Sequence, residues 1–301
     1  MQKGERNQAV QGSGCRRRMK SMMNAGAIAL ATVSAGCRTI SEPDDRGRPA
    51  IVLAAFGTSV AKARQVFDYI DEKARKRYPE HEIRWAFTSD FIIRKLGKQG
   101  IVMQRPEEVV AELRDAGFRR VAVQSLHIAP GQEFQELTRT RVHGVEVAVG
   151  QPLLASERDM RQAIAAIAAK DPELACAETP VVLAAHGNSH HPEFNRELVQ
   201  LNSLVRATFP TALVATVEGQ PGTSGLAEAT RLARSSRRVH FVPFMLVAGD
   251  HVMNDVMGEE PEAWKQIVGA ASTTCSKSLG YRDEILEVFF AHLDTCLKEL
   301  E

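Results

Sequence analysis

The stretch Val181-Val-Leu-Ala-Ala-His186-Gly-Asn-Ser189 repeats Ile51-Val-Leu-Ala-Ala-Phe56-Gly-Thr-Ser59 almost position for position, 130 residues later. Self-similarity at that distance constrains the chain to two structurally related units. Each copy is a short, continuous apolar run closed by Gly, which is how a strand buried on both faces of a parallel sheet reads.

The order of elements repeats as well. In the first half a helical pattern from about Val60 to Tyr78 follows the strand, then a strand Ile83 to Phe87, a helix Pro106 to Ala116 and a strand Val121 to Ile128. In the second half the counterparts are a helix Pro192 to Phe209, a strand Ala212 to Val217, a helix Gly225 to Ser235 and the segment Val239 to His251, in which Gly249 falls on Gly131. Strands alternating with helices imply parallel pairing through crossovers. The expected fold is α/β, with two related doubly wound lobes, each on a parallel sheet, and an active-site cleft between them. The lobes are expected at residues 37–150 and 151–301.

Composition adds limits. With 301 residues, 44% hydrophobic and 25% charged, the chain can bury a large core. A formal charge of +1 and 6% aromatic residues give no basic, stacking surface, so nucleic acid is set aside. Neither GxGxxG nor a P-loop occurs, and no nucleotide cofactor is expected.

Residues 1–36 read differently. Arg16, Arg17, Arg18 and Lys20 precede the small, apolar, uncharged stretch Ala25 to Gly36, the pattern of a secretory signal peptide, with Met19 as an alternative start. The stretch is short for a membrane span, which needs about 20 apolar residues. Ser34-Ala-Gly-Cys37 resembles a bacterial lipoprotein cleavage box, with Ser34 where Leu is usual. The expectation is therefore an exported, periplasmic protein, with membrane attachment through a lipidated Cys37. Removing residues 1–36 takes away six positive charges and one negative, leaving a formal charge near −4. Cys176, Cys275 and Cys296 are widely spaced and form no CxxC motif or disulfide framework.

The repeat also isolates what differs between the halves. Where the first half has Phe56, Thr88 and Glu133 near its strand ends, the second has His186, Glu218 and His251. Ligands of open α/β sheets bind at the carboxyl ends of the strands. Two imidazoles and a carboxylate suit a first-row divalent ion, and the same groups can take protons. Each alone has a plainer reading: His186 as a hydrogen-bonded strand end, Glu218 as a turn residue, His251 as a helix start capped by Asp250. Three at equivalent strand ends favour a metal and catalytic site in the second lobe. His190 and His191 are adjacent, point apart at a helix start, and are expected to be solvated. His127, near the end of the third strand, is a candidate cleft residue.

At these residues the chain resembles the anaerobic cobalt chelatases that act on sirohydrochlorin, related in fold to the class II chelatases. The resemblance rests on Leu53-Ala-Ala-Phe-Gly-Thr-Ser59, Trp85-Ala-Phe-Thr-Ser89, Val123-Gln-Ser-Leu-His127, Ala185-His-Gly187, Thr216-Val-Glu-Gly219 and Pro243-Phe-Met-Leu-Val-Ala-Gly-Asp-His251 with Asn254-Asp255. It implies a lyase of cobalamin and tetrapyrrole biosynthesis that inserts Co²⁺ into sirohydrochlorin without ATP and releases two protons. It implies further that His186, Glu218 and His251 hold the metal, and that Thr58, Ser59, Ser89, Ser125 and His127 lie along the tetrapyrrole. Fe²⁺ (sirohaem formation) or Ni²⁺ are alternative metals. An exported tetrapyrrole or metal carrier is the alternative of another class. A homo-oligomer is a further expectation.

Overall fold

The runs Ala50–Ala55 (β1) and Val181–Ala185 (β5) are buried along their whole length, as apolar strands covered on both faces should be. In the computed structural model, residues 47–301 are described. The leader expected over residues 1–36 and the lipidation site Cys37 lie outside them.

After β1 come α1 (Gln65–Arg77), β2 (Ile83–Phe87), α2 (Asp90–Gly97), α3 (Pro106–Asp115), β3 (Arg120–Ser125), α4 (Gln132–Leu137) and β4 (Glu146–Gly150). The helix α5 (Glu157–Ala168) leads to β5, followed by α6 (Arg196–Thr208), β6 (Ala212–Thr216), α7 (Gly225–Ser236), β7 (Arg238–Pro243), α8 (Trp264–Val268), β8 (Ser272–Cys275) and α9 (Asp283–Glu299). The strands form two all-parallel sheets of the same order, β2-β1-β3-β4 and β6-β5-β7-β8. The connections leave the central strand first toward one edge and then toward the other. The crevice at this reversal lies between β1 and β3 in one sheet and between β5 and β7 in the other.

Sequence accounts for the elements around the central strands. In α1 the buried residues Val66, Phe67, Ile70 and Ala74 follow helical spacing, and the helix stops at Tyr78, immediately before Pro79. Its first turn is tighter than expected: Lys62–Arg64 is 3-10 helix, and Pro192–Asn195 repeats this before α6.

A single apolar core joins the two sheets, drawing on α1, α5, α6 and α9. The chain divides at residue 150 as far as strands are concerned, but not helices. The last helix, α9, crosses back to lie against β3 and β4 of the first sheet. It buries Ile285, Leu286, Phe289, Phe290 and Leu293, each worth roughly 1.5–3 kcal/mol, with the Phe290 ring edge-on to Tyr78. Polar contacts fix its register on α1: Tyr78 Oη donates to Asp294 at 2.7 Å, and Arg77 pairs with Asp294 at 2.8 Å and Glu287 at 3.0 Å. Cys176, Cys275 and Cys296 are free thiols.

Candidate active site

His186 follows β5 directly, and Glu218 follows β6 by one residue. Two glycines make their proximity obligatory. Gly187 and Gly219 both have positive φ, 75° and 65°, and their turns are stacked so closely that a Cβ at Gly187 would lie 1.8 Å from the Glu218 carbonyl oxygen. The Glu218 amide donates to the His186 carbonyl at 2.8 Å. The buried Asn195 locks the turn from below, accepting from the Asn188 amide at 2.8 Å and donating to the Asn188 carbonyl at 2.7 Å.

His251 enters from the loop after β7, just before a wide π-turn at Val252–Val256, a feature frequent at functional sites. Its Nε2 lies 3.1 Å from His186 Nε2, with the rings nearly perpendicular at 82°. The other ring nitrogens define the protonation. His186 Nδ1 faces the Gly187 carbonyl at 2.7 Å, and His251 Nδ1 faces the Asp255 carboxylate at 2.6 Å. Carbonyl and carboxylate oxygens only accept, so both Nδ1 atoms carry hydrogen. In the neutral rings the two Nε2 lone pairs therefore confront each other. That arrangement is repulsive until a cation, either a proton or a metal ion, sits between them. With metal–nitrogen distances of ~2.0–2.1 Å, the 3.1 Å separation corresponds to an N–M–N angle of about 100°.

Glu218 lies beside this pair but does not close on it. Its carboxylate accepts from Ser189 Oγ at 3.0 Å. Burial pushes its pKa up, but the Ser189 hydroxyl and the positive charge available on His186 and His251 outweigh that and hold the carboxyl below its usual range.

On the first lobe, the β1 turn meets the loop that carries His251: a Cβ at Gly249 would come within 3.1 Å of Thr58 Oγ1. Thr58 is buried, and Ser59 is half-buried with its carbonyl toward Arg64. Ser89 is buried and its hydroxyl caps α2, accepting from the Ile92 amide at 3.4 Å. Ser125 is buried, and its hydroxyl lies 2.9 Å from His127 Nδ1, while Thr88 Oγ1 lies 3.0 Å from His127 Nε2. Among these five residues only Ser59 and His127 keep appreciable surface. The His127 ring is enclosed even so, and burial lowers its pKa to about 4. Phe56, the counterpart of His186, is 45% exposed. His190 and His191 are exposed, their amides donating to Asn188 Oδ1.

Residues 49–298 match the family model for cobalt chelatase (CbiK). The chain belongs to this cobalt chelatase family. It is 33% identical to the sirohydrochlorin cobaltochelatase of Salmonella typhimurium, over 83% of this chain and 97% of that protein. It is 31% identical to the sirohydrochlorin cobaltochelatase CbiKC of Nitratidesulfovibrio vulgaris, over 83% and 91%. Among solved structures, SirB from Bacillus subtilis with Fe³⁺ aligns with a TM-score of 0.56 at 16% identity, over 83% of this chain and 96% of that one. CbiX, described as the terminal enzyme of sirohaem biosynthesis in denitrifying bacteria, aligns at 0.52 and 16%, over 80% and 98%. These structural matches bear on the fold, which is that of the class II chelatases. The cobalt chelatase family membership agrees with the lyase expected from the sequence.

Two other features of this family member stand apart from the site. Asp171, Glu173 and His240 bring three potential metal-binding side chains together, but Arg282 Nη1 already sits 2.6 Å from Asp171 Oδ2. Thr274 Oγ1 occupies His240 Nδ1 at 2.7 Å. Burial drives the Asp171 carboxyl up, yet its contacts with His240 and Arg282 prevail and keep it low. With a guanidinium already neutralising the carboxylate, the cluster is a buried ion pair rather than a metal centre. A cavity of about 550 Å³ bounded by Arg48, Glu80 and Phe118 lies near the amino end of β1, away from the strand ends that bear the histidines.

The sequence marks Ser189 only as a turn hydroxyl that could meet substrate carboxylates, not as the partner of Glu218, and does not single out Asn195 or Asp255 as site residues. The His251–Asp255 spacing of four, one helical turn, was the available signal for the last.

Proposed function

We propose that this cobalt chelatase inserts Co²⁺ into sirohydrochlorin, without ATP, at the His186–His251 pair. The observation that carries the reading is the confrontation of two Nε2 lone pairs at 3.1 Å, a site built to receive a cation. His186, His251 and Glu218 hold the incoming ion, Glu218 by turning its carboxylate from Ser189 toward the pair. The macrocycle lies between the histidines and the opposite wall of the cleft. There Ser59 and His127 keep surface toward the ring, the buried Thr58, Ser89 and Ser125 support the wall from behind, and the exposed Phe56 offers an apolar face.

The reaction exchanges one Co²⁺ for two pyrrole protons. As each pyrrole nitrogen takes cobalt from an imidazole, the Nε2 lone pair so freed accepts that nitrogen's proton and passes it to water. His251 is the better placed acceptor, because its Nδ1–H already points at a carboxylate that stabilises the imidazolium. Imidazole and carboxylate ligands do not by themselves separate Co²⁺ from Fe²⁺ or Ni²⁺.

The test is anaerobic incubation of residues 38–301 with sirohydrochlorin and Co²⁺, followed by tetrapyrrole absorbance, with Fe²⁺ and Ni²⁺ in parallel. Conversion that is lost in His186→Ala supports the reading. A stable, unmetallated complex without turnover rejects it in favour of a tetrapyrrole carrier.

We also propose that the mature protein works outside the cytoplasm, anchored through a lipidated Cys37. The basic run, the apolar stretch and the Ser34-Ala-Gly-Cys37 box support this. Cell fractionation with mass spectrometry of the amino terminus tests it: an unprocessed cytosolic chain rules it out.

A further inference from the structure

The two histidines differ in what holds them. His186 Nδ1 is tied to the carbonyl of its own neighbour, Gly187, at 2.7 Å, so its orientation is set by the backbone. His251 has no such backbone partner, and its Nδ1 is held by a side chain, Asp255 Oδ2, at 2.6 Å. Asp255 is itself fixed. It belongs to the π-turn Val252–Val256, closed by Met257 N donating to the Val252 carbonyl at 3.0 Å. The turn ends on Gly258, where a Cβ would lie 2.0 Å from the Asn254 carbonyl oxygen, so the chain there has no latitude for a side chain. Asn254 Nδ2 adds a clamp to Asp250 at 2.9 Å.

We propose that Asp255 is the positioning residue of the metal site: its carboxylate holds His251 in the Nδ1–H tautomer and at the ring angle that aims the Nε2 lone pair at His186. This rests on the chelatase reading of the same pair. A free neutral imidazole favours hydrogen on Nε2, the form that cannot bind a cation there. An acceptor on Nδ1 removes that hydrogen from the metal-facing atom, as carboxylate partners of metal-binding histidines do generally. Both side chains of the pair are partly exposed, at 38% and 44%, so as a surface ion pair it has little stabilising value. Its consequence is orientation.

The experiment compares the wild type with Asp255→Ala and Asp255→Asn, the latter keeping an acceptor oxygen without the charge. Two-dimensional ¹⁵N–¹H spectra of ¹⁵N-histidine-labelled apoprotein above neutral pH read the His251 tautomer. Metallation assays give kcat and the KM values for Co²⁺ and sirohydrochlorin. The expected result is Nδ1–H in the wild type and Asp255→Asn, loss of that tautomer in Asp255→Ala, and a kcat lower by about 10- to 100-fold in Asp255→Ala, with a smaller loss in Asp255→Asn, which keeps the tautomer but not the charge beside the imidazolium. KM for sirohydrochlorin stays unchanged. An Nε2–H wild type, an unaltered Asp255→Ala spectrum, or a kcat for Asp255→Ala within about twofold of wild type overturns the proposal, taking twofold as the ordinary scatter of such comparisons. A wild type that inserts no cobalt sinks the chelatase reading instead. The tautomer spectra and Co²⁺ affinity, expected to fall about tenfold in Asp255→Ala, then decide the role of Asp255.

Discussion

His186 and His251 follow strands adjacent in the sheet, β5 and β7, and lie 65 residues apart in the chain, and their Nε2 atoms meet at 3.1 Å with both Nδ1 atoms spent on acceptors. Neither histidine supports the core: His186 is exposed and His251 half-buried. Replacing either with Ala is therefore expected to leave the melting temperature within a few degrees of wild type, as a surface substitution should. Metallation, by contrast, should fall by about 10²–10⁴-fold, the usual worth of a positioned proton acceptor. Phe56→Leu, at the equivalent strand end of the other lobe, should leave Co²⁺ affinity unchanged. Calorimetric Co²⁺ titration beside the absorbance assay checks both, and full activity in either histidine variant would remove the pair from the mechanism.

Ser189 supplies the hydrogen bond that most strongly draws the Glu218 carboxyl below its usual pKa against the upward push of burial. In Ser189→Ala the hydroxyl is gone and the Glu218 pKa rises. A carboxyl that must be ionised to hold Co²⁺ then loses its charge at a higher pH. The acid limb of the kcat/KM profile should shift toward neutral pH, with activity on the alkaline side retained. An unmoved acid limb would mean that Glu218 ionisation does not limit metal capture.

The second strand, Ile83–Phe87, and the start of β5 were legible to the residue, because apolar runs bounded by turn residues have few other solutions. The repeat located His186, Glu218 and His251, since it aligned strand ends whose side chains differ. It was silent about α9, whose apolar face is ordinary for a helix. Nothing in the sequence of α9 says that it seals the first sheet and not the second. The inward commitments of Ser89 and Ser125 were also hidden. A serine at or just past a strand end reads equally as a ligand contact or a cap, and only packing assigns the first to α2 and the second to His127. Asp255 was visible as a motif residue, but its partner depended on the π-turn.

His127 gives the fold a pH dependence that can be read apart from catalysis. Burial lowers its pKa from 6.5 to about 4, while both ring nitrogens contact hydroxyls, Thr88 and Ser125. Above the unfolded value the ring is neutral in both states and costs nothing. As pH falls from about 6.5 toward 4 the unfolded chain takes up a proton that the folded chain refuses, and stability drops, by up to about 3 kcal/mol. Denaturant unfolding between pH 7.5 and 4.5 should show this slope in the wild type and lack that part of it in His127→Gln. Equal slopes would place the acid sensitivity elsewhere.

Arg282 and Asp171 offer the sharpest distinction between a buried ion pair and a hidden metal centre. Their side chains are 5% and 4% exposed and meet at 2.6 Å, with His240 on the other carboxylate oxygen at 3.3 Å. Removing the guanidinium in Arg282→Met strands a carboxylate in the interior between β7 and the start of α9. The expected cost is about 3–5 kcal/mol, or about 10 °C in melting temperature for a domain of this size. Protonation of Asp171 relieves that cost, so the deficit should shrink at acid pH. Were Asp171, Glu173 and His240 a metal site held shut by Arg282, the variant would instead gain stability from added Co²⁺ or Zn²⁺. Thermal melts of Arg282→Met with and without these ions, at pH 7.5 and 5, separate the two. Metal-independent destabilisation that eases at pH 5 is the outcome the geometry requires.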